Sequence, residues 1–200
     1  MNYKIHYDWK IIDKAALFAS YDPQRIEGYC KQCQHYGQFW SCPPLPLTGE
    51  KFLEAYDKIL LIGGKITLSE PPNDMDIESY CIETFHKARQ AFSTSLLGLE
   101  HLTLNTTSLI AGNCYHCTTC SKAQGLPCRY PHLMRYSLES IGFDVNDILI
   151  KHFGYELHWI KDNILPEYLV SVGALATNQA SINLLLEAAH EKIFNQESAQ

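Results

Sequence analysis

The chain has 200 residues, 46% of them hydrophobic and 19% charged, which suits one compact domain with a sizeable core. Sixteen basic residues against 22 acidic ones leave a formal charge of −6, so neither nucleic acid nor an anionic membrane is an expected partner. The 12% aromatic content argues against disorder, no apolar run is long enough to cross a bilayer, and the first ten residues lack the apolar stretch of a signal peptide. The expectation is a soluble cytoplasmic protein.

In chain order, Trp9, Ile12, Ala15, Ala16 and Ala19 fall at helical spacing, which predicts a helix from Asp8 to Ser20 with Asp8 as its N-cap. A helix is expected across Gly49–Tyr56, then a buried strand in the β-branched run from Lys58 to Ile66. After the Pro71-Pro72 breaker, Ile77, Cys81, Phe85, Ala88, Phe92, Leu96 and Leu99 mark the apolar stripe of a long helix. Thr106–Gly112 reads as a second strand. Ser137 and Asp144 read as successive N-caps, and the segment from Val145 to Phe153 stops at Gly154 as at a C-terminal glycine cap. Tyr155–Ile160 and Tyr168–Leu175 read as two more strands, and Asn178–Phe194 as a last helix.

These elements point to an α/β (α+β) fold: a two-layer domain with a mixed sheet of about four strands, helices packed on it and two cysteine-rich loops. Residues 1–176 are expected to form a metal-binding domain with cysteine loops at 30–44 and 112–131, and residues 177–200 to add a helix and a polar tail. Gly63-Gly64-Lys65 lacks the spacing of a phosphate-binding loop, and no Gly-x-Gly-x-x-Gly motif occurs.

The anomaly is the cysteine pattern. Seven of eight cysteines crowd into two clusters, Cys30/Cys33/Cys42 and Cys114/Cys117/Cys120/Cys128. A reducing cytosol keeps disulfides open, and disulfide frameworks usually scatter their cysteines, so metal ligation is the better reading. Cys114, Cys117 and Cys120 stand at successive three-residue steps, the pitch at which a loop presents sulfurs to three irons of a cubane, and Cys128 supplies a fourth thiolate. Structural zinc more often uses two Cys-x-x-Cys knuckles a dozen or more residues apart. A [4Fe–4S] cluster is therefore preferred, with zinc as the alternative. The seven-residue gap before Cys128 departs from the bacterial ferredoxin run, so a plain ferredoxin fold is not expected. Arg129 either offsets cluster charge or is a solvated surface residue.

The first cluster has three cysteines and ends in Cys42-Pro43-Pro44, with Tyr36, Phe39 and Trp40 available to wall it from water. Three thiolates leave an open coordination site, a fourth ligand from elsewhere, or convergence of both clusters on one site. Cys81 lies on the apolar stripe of its helix and reads as a buried structural thiol. His35, His116 and His132 read as exposed or outer hydrogen-bonding groups rather than ligands.

These residues carry a resemblance. The run Cys30-x-x-Cys33-x-x-Tyr36-Gly37-x-x-Trp40-x-Cys42-Pro43-Pro44 is followed by Ala111-Gly112-x-Cys114-x-x-Cys117-x-x-Cys120 and Gly125-x-Pro127-Cys128-Arg129-Tyr130-Pro131. With Ser137-Leu138-Glu139 and Gly142-Phe143-Asp144-Val145, it resembles the DUF2284 family of predicted metal-binding proteins from about Cys30 to Leu175. The resemblance implies metal binding by the seven motif cysteines and no particular reaction. It offers no counterpart to Cys81 or to the helix after Asn178. Three functions are compatible with the chain: an electron-transfer protein or redox subunit serving a redox partner protein, an enzyme with an exposed iron at the three-cysteine site, and a zinc-stabilised binding module.

Overall fold

The computed structural model describes residues 3–194. Four strands, β1 (Tyr3–Asp13), β2 (Lys58–Leu68), β3 (Thr107–Leu109) and β4 (Leu169–Thr177), form one sheet in the order β1-β2-β4-β3. The α+β class and the strand count agree with the sequence reading, but every ladder is antiparallel rather than mixed. Helices also cover both faces of the sheet instead of one. Leu60, Ile62 and Leu175 pack under the long helix α4 (Ile77–Glu100) and the last helix α6 (Ile182–Lys192). Ile59, Leu61, Val170 and Val172 face α1 (Lys14–Phe18), α5 (Val145–Phe153) and the segment that follows α3 (Gly49–Phe52). Every residue of β4 is buried, as expected for a strand covered on both sides.

Two expected elements differ. The helix read from Asp8 is the second half of β1 followed by the one-turn α1. From Tyr3 to Ile11 aromatic or branched residues alternate with polar ones, and that period of two pairs with β2 from Tyr3↔Leu68 to Asp13↔Lys58. Tyr155–Ile160 is irregular, not a strand. The Leu157 N–H donates to the Asn146 side chain at 2.8 Å instead of to a ladder. Other expectations come out close. Asp76 caps α4 by accepting from Ser79 N at 2.9 Å, and α5 begins after Asp144 and ends at Gly154 with φ +78°. The Ser137 hydroxyl accepts from Ser140 N at the start of a 3-10 turn, Glu139–Ile141. The helix expected over 49–56 shortens to one turn, capped by Thr48. The polar tail beyond residue 194 lies outside the described residues.

Two features of this packing position the cysteine loops. Because β3 is three residues long, it covers β4 only from Ala174 to Ala176, leaving the outer edge of β4 from Leu169 to Gly173 without a strand partner among the described residues. Gly173 lets α4 come close there: a Cβ would stand 2.4 Å from Leu96 Cδ1 and 3.0 Å from Leu109 O.

The C-terminal end of α4 is clamped by a half-buried ion pair. Arg135 donates from Nε to Glu100 Oε2 at 2.7 Å and from Nη2 to Oε1 at 2.5 Å, while the backbone N–H and hydroxyl of Ser108 also donate to Oε2. Burial alone would raise the Glu100 pKa, but Arg135 and Ser108 outweigh it and hold the carboxyl below its usual value. A carboxyl depressed in the fold stabilises above its unfolded pKa and loses that contribution as pH falls through its folded one. Glu100→Gln is therefore expected to destabilise the protein at neutral pH by about 1–2 kcal/mol, through loss of the charge-assisted bonds to the half-buried Arg135. In urea denaturation followed across pH, the gap between variant and parent should close below the ordinary carboxylate range.

Candidate metal centres

The first cysteine loop grows out of α2 (Pro23–Cys30), which Asp22 caps through Arg25 N at 3.1 Å. Tight turns follow: Cys33 N donates to Cys30 O, Tyr36 N to Cys33 O and Cys42 N to Phe39 O, each at 3.0 Å, and Gly37 N closes the loop on Pro43 O at 2.8 Å. The turns bring Cys30, Cys33 and Cys42 within electrostatic reach of one another. Burial, then the nearby Glu139, Cys33 and Glu27, push Cys30 up to about 11. Cys42 also goes up to about 11, mainly by burial, against a smaller downward pull from the Ser41 hydroxyl. Glu139 is raised by its own burial. A site that gathers thiols and a carboxyl against their own ionisation is one that a bound cation stabilises, since coordination removes the thiol proton outright.

The second loop is shaped at its start by Gly112, whose φ of +68° turns the chain away from the sheet. Arg89 on α4 lies beneath this turn. Its Nη1 donates to Ala111 O at 3.1 Å, to Asn113 O at 2.9 Å and to Asn113 Oδ1 at 3.2 Å, and a Cβ at Gly112 would stand 2.5 Å from it. Further on, a 3-10 turn (Ser121–Gln124) ends at Gly125, and Ser121 Oγ donates to Pro127 O at 2.7 Å, which folds Cys128 back. The result is one small pocket lined by Cys114, Cys117, Cys120 and Cys128. Phe39, Trp40, Tyr130 and Met134 wall the same pocket. Burial raises the Cys114 thiol, the His116 N–H pulls it down, and the charges of Cys128, Cys117 and Cys120 raise it further.

The two loops are bolted together. The Cys114 N–H donates to the buried Ser41 hydroxyl at 2.9 Å, and Trp40 Nε1 donates to Leu126 O at 3.1 Å. Lys122 Nζ donates to Cys42 O at 2.9 Å and Pro44 O at 3.3 Å while standing 5.5 Å over the Trp40 ring. The loops share a wall but not a pocket: Cys30, Cys33 and Cys42 face a separate cleft of about 1390 Å³. That cleft runs along the unpaired edge of β4 at Leu169–Val172, with Arg89, Glu139 and the irregular segment after α5 on its walls.

All eight cysteines are free, and Cys81 is buried beside Ile66, Ala88 and Leu169. His116 bonds the Leu133 carbonyl at 3.0 Å, His35 packs edge-on against Phe39, and Arg129 ties Thr119 O at 2.7 Å. Among the described residues, no group of three or more Cys, His, Asp or Glu side chains is arranged to hold a single metal ion. In a cubane each thiolate takes its own iron, so four sulfurs around one pocket suit a cluster without meeting at a point. The soft, all-sulfur donor set fits the same group.

Sequence reasoning passed over Arg89, Ser41 and Lys122. Arg89 had a signal, since it is a charged residue inside the apolar stripe between Phe85 and Phe92. Ser41 and Lys122 act only through the contact between the loops, which no local pattern shows. Ser41→Ala leaves the Cys114 N–H without its partner and is expected to cost about 1–3 kcal/mol in urea denaturation. Ser41→Cys or Ser41→Thr, which keep a side-chain acceptor, should cost less.

A family model described as a predicted metal-binding protein, DUF2284, matches residues 19–175. No curated protein and no solved structure matches the chain.

Proposed function

The chain belongs to the DUF2284 family of predicted metal-binding proteins, and from that premise we propose that it is an iron–sulfur protein whose four-cysteine pocket carries single electrons to and from a redox partner protein in the cytoplasm. The observation that supports this is the convergence of Cys114, Cys117, Cys120 and Cys128 on one pocket walled by aromatic side chains. A [4Fe–4S] cluster bound there would supply one-electron exchange at a potential set by hydrogen bonds to the sulfurs and by exposure.

The chain's own residues would govern that potential. The His116 backbone N–H favours the Cys114 thiolate, Phe39 and Trp40 line the pocket, and Lys122 adds a positive charge at the seam between the loops. Full ligation by protein sulfur leaves no place for a substrate, which suits electron transfer. Eight free thiols suit a reducing compartment.

A second reading is favoured by a separate observation. Cys30, Cys33 and Cys42 line the large cleft, so a metal centre held by these three would keep an open position toward it. That arrangement makes the first set the reacting centre of an enzyme and the second set its electron supply.

Iron, acid-labile sulfide and zinc determined on protein purified without oxygen test the proposal. The expected result is iron matched by sulfide, reversible one-electron bleaching of its visible absorption, and loss of only one share of iron in each of Cys117→Ala and Cys33→Ala. Stoichiometric zinc without sulfide would overturn it in favour of a zinc-stabilised binding module.

A further inference from the structure

Arg89 is held by more than the Gly112 turn requires, and one part of it is held by nothing. It is 6% exposed and lines the cleft beside the three-cysteine set. Its Nη1 has three carbonyl acceptors, and Nη2 has two hydrogens but a single partner, His86 Nδ1 at 3.3 Å. Nε has no partner at all. Nε and Nη2 form one edge of the planar guanidinium, the edge that grips a carboxylate through two parallel hydrogen bonds. Every partner of Arg89 is a neutral group. The thiols of Cys42 and Cys114 and the Glu139 carboxyl lie within its electrostatic reach. Charge can be balanced at such a distance, but an N–H edge is satisfied only by an acceptor in contact.

The cleft contains a second orphan. The Ser171 hydroxyl, on the stretch of β4 without an outer partner strand, is buried and unbonded. Much of the remaining wall is apolar, with Ile82, Phe85, Leu165 and Leu169 prominent. Apolar walls with a few convergent polar groups are the mark of a site for an organic molecule. Glu139, Asp144, Glu156 and Asp162 in the same walls outnumber Arg89 and Lys161 and disfavour a doubly charged phosphate, whereas a carboxylate brings a single charge.

We propose that this cleft binds an organic carboxylate with an apolar body, the carboxylate gripped by the Nε–Nη2 edge of Arg89 and the body lying along Ile82, Phe85 and Leu169 toward the three thiols. The proposal names the substrate class for the second functional reading and rests on that reading only for chemistry at the thiols. Binding itself requires no metal.

Calorimetric titration of the full chain, purified without oxygen, with phenylbutyrate and with phenylbutanol tests it. The carboxylate is expected to bind at least about tenfold more tightly than the alcohol, the worth of a charge-assisted pair. Arg89→Met should erase that preference while the alcohol still binds. Ile82→Glu, at an exposed position where folding is not at risk, should weaken the carboxylate at least about tenfold by placing a like charge on its path. Because Arg89 also fixes the Gly112 turn, Ile82→Glu decides alone if Arg89→Met does not fold. Equal affinities, no binding of either compound, tighter binding of phenyl phosphate, or indifference to Ile82→Glu overturns the proposal. A change in the iron spectrum on adding phenylbutyrate supports the second functional reading, whereas binding without such a change removes that reading and leaves the carboxylate site standing.

Discussion

Two charged side chains on one face of α4 hold both ends of the second cysteine loop, and the candidate metal centres depend on that hold. Arg89 and Glu100 are eleven residues apart, close to three whole turns, so they point the same way at about 16 Å separation along the axis. Arg89 grips Ala111 and Asn113 where the loop leaves the sheet, and Glu100 grips Arg135 where the loop returns. Four cysteines lie on the chain between those two anchors. A loop of this length would otherwise spend its conformational freedom on many shapes, and fixing its ends cuts that freedom before any metal arrives. Each anchor holds its charge out of bulk water, Arg89 buried and Glu100 half-buried, so each depends on the partners that the loop supplies.

The first loop is positioned second-hand. It leans on the other loop through Ser41, Trp40 and Lys122. This explains why the two sulfur sets differ in character although both follow Cys-x-x-Cys spacing. The inner set is half-buried in a small pocket made by the loop's own turns and by Phe39 and Trp40 of its neighbour. The outer set lies against the place where β3 stops short of β4, and there the molecule opens. A small pocket of four and an open cleft with three are the contrast on which the two proposed functional readings rest.

How much of this could be read from residues alone varies with the range of the interaction. The Asp144 and Gly154 caps of α5, the β-branched run of β2 and the stripe of α4 are signals within a few residues, and the structure carries each of them. The first strand was misread because Trp9, Ile12, Ala15, Ala16 and Ala19 satisfy a helical period; the alternation from Tyr3 to Ile11 is the longer pattern, and pairing with β2 makes it win. Tyr155–Ile160 alternates as well, yet it stands across the cleft from the open edge of β4 and its Leu157 N–H goes to the Asn146 side chain, and alternation without a partner does not make a strand. The antiparallel order of the sheet, the two-sided helix cover and the Ser41–Cys114 and Lys122–Cys42 bonds join residues tens of positions apart, and no local pattern encodes them. Arg89 lies between these cases, visible as a misplaced charge but mute about what it holds.

Central to the account is that the sulfurs of Cys114, Cys117, Cys120 and Cys128 serve one polynuclear iron centre. X-ray absorption at the iron and zinc edges of protein purified without oxygen measures this directly. The account predicts iron with an all-sulfur first shell and, beyond it, a shell of iron neighbours that disappears in part when Cys120 is replaced by Ala. Zinc in a single four-sulfur shell, with no iron scatterer, would contradict it.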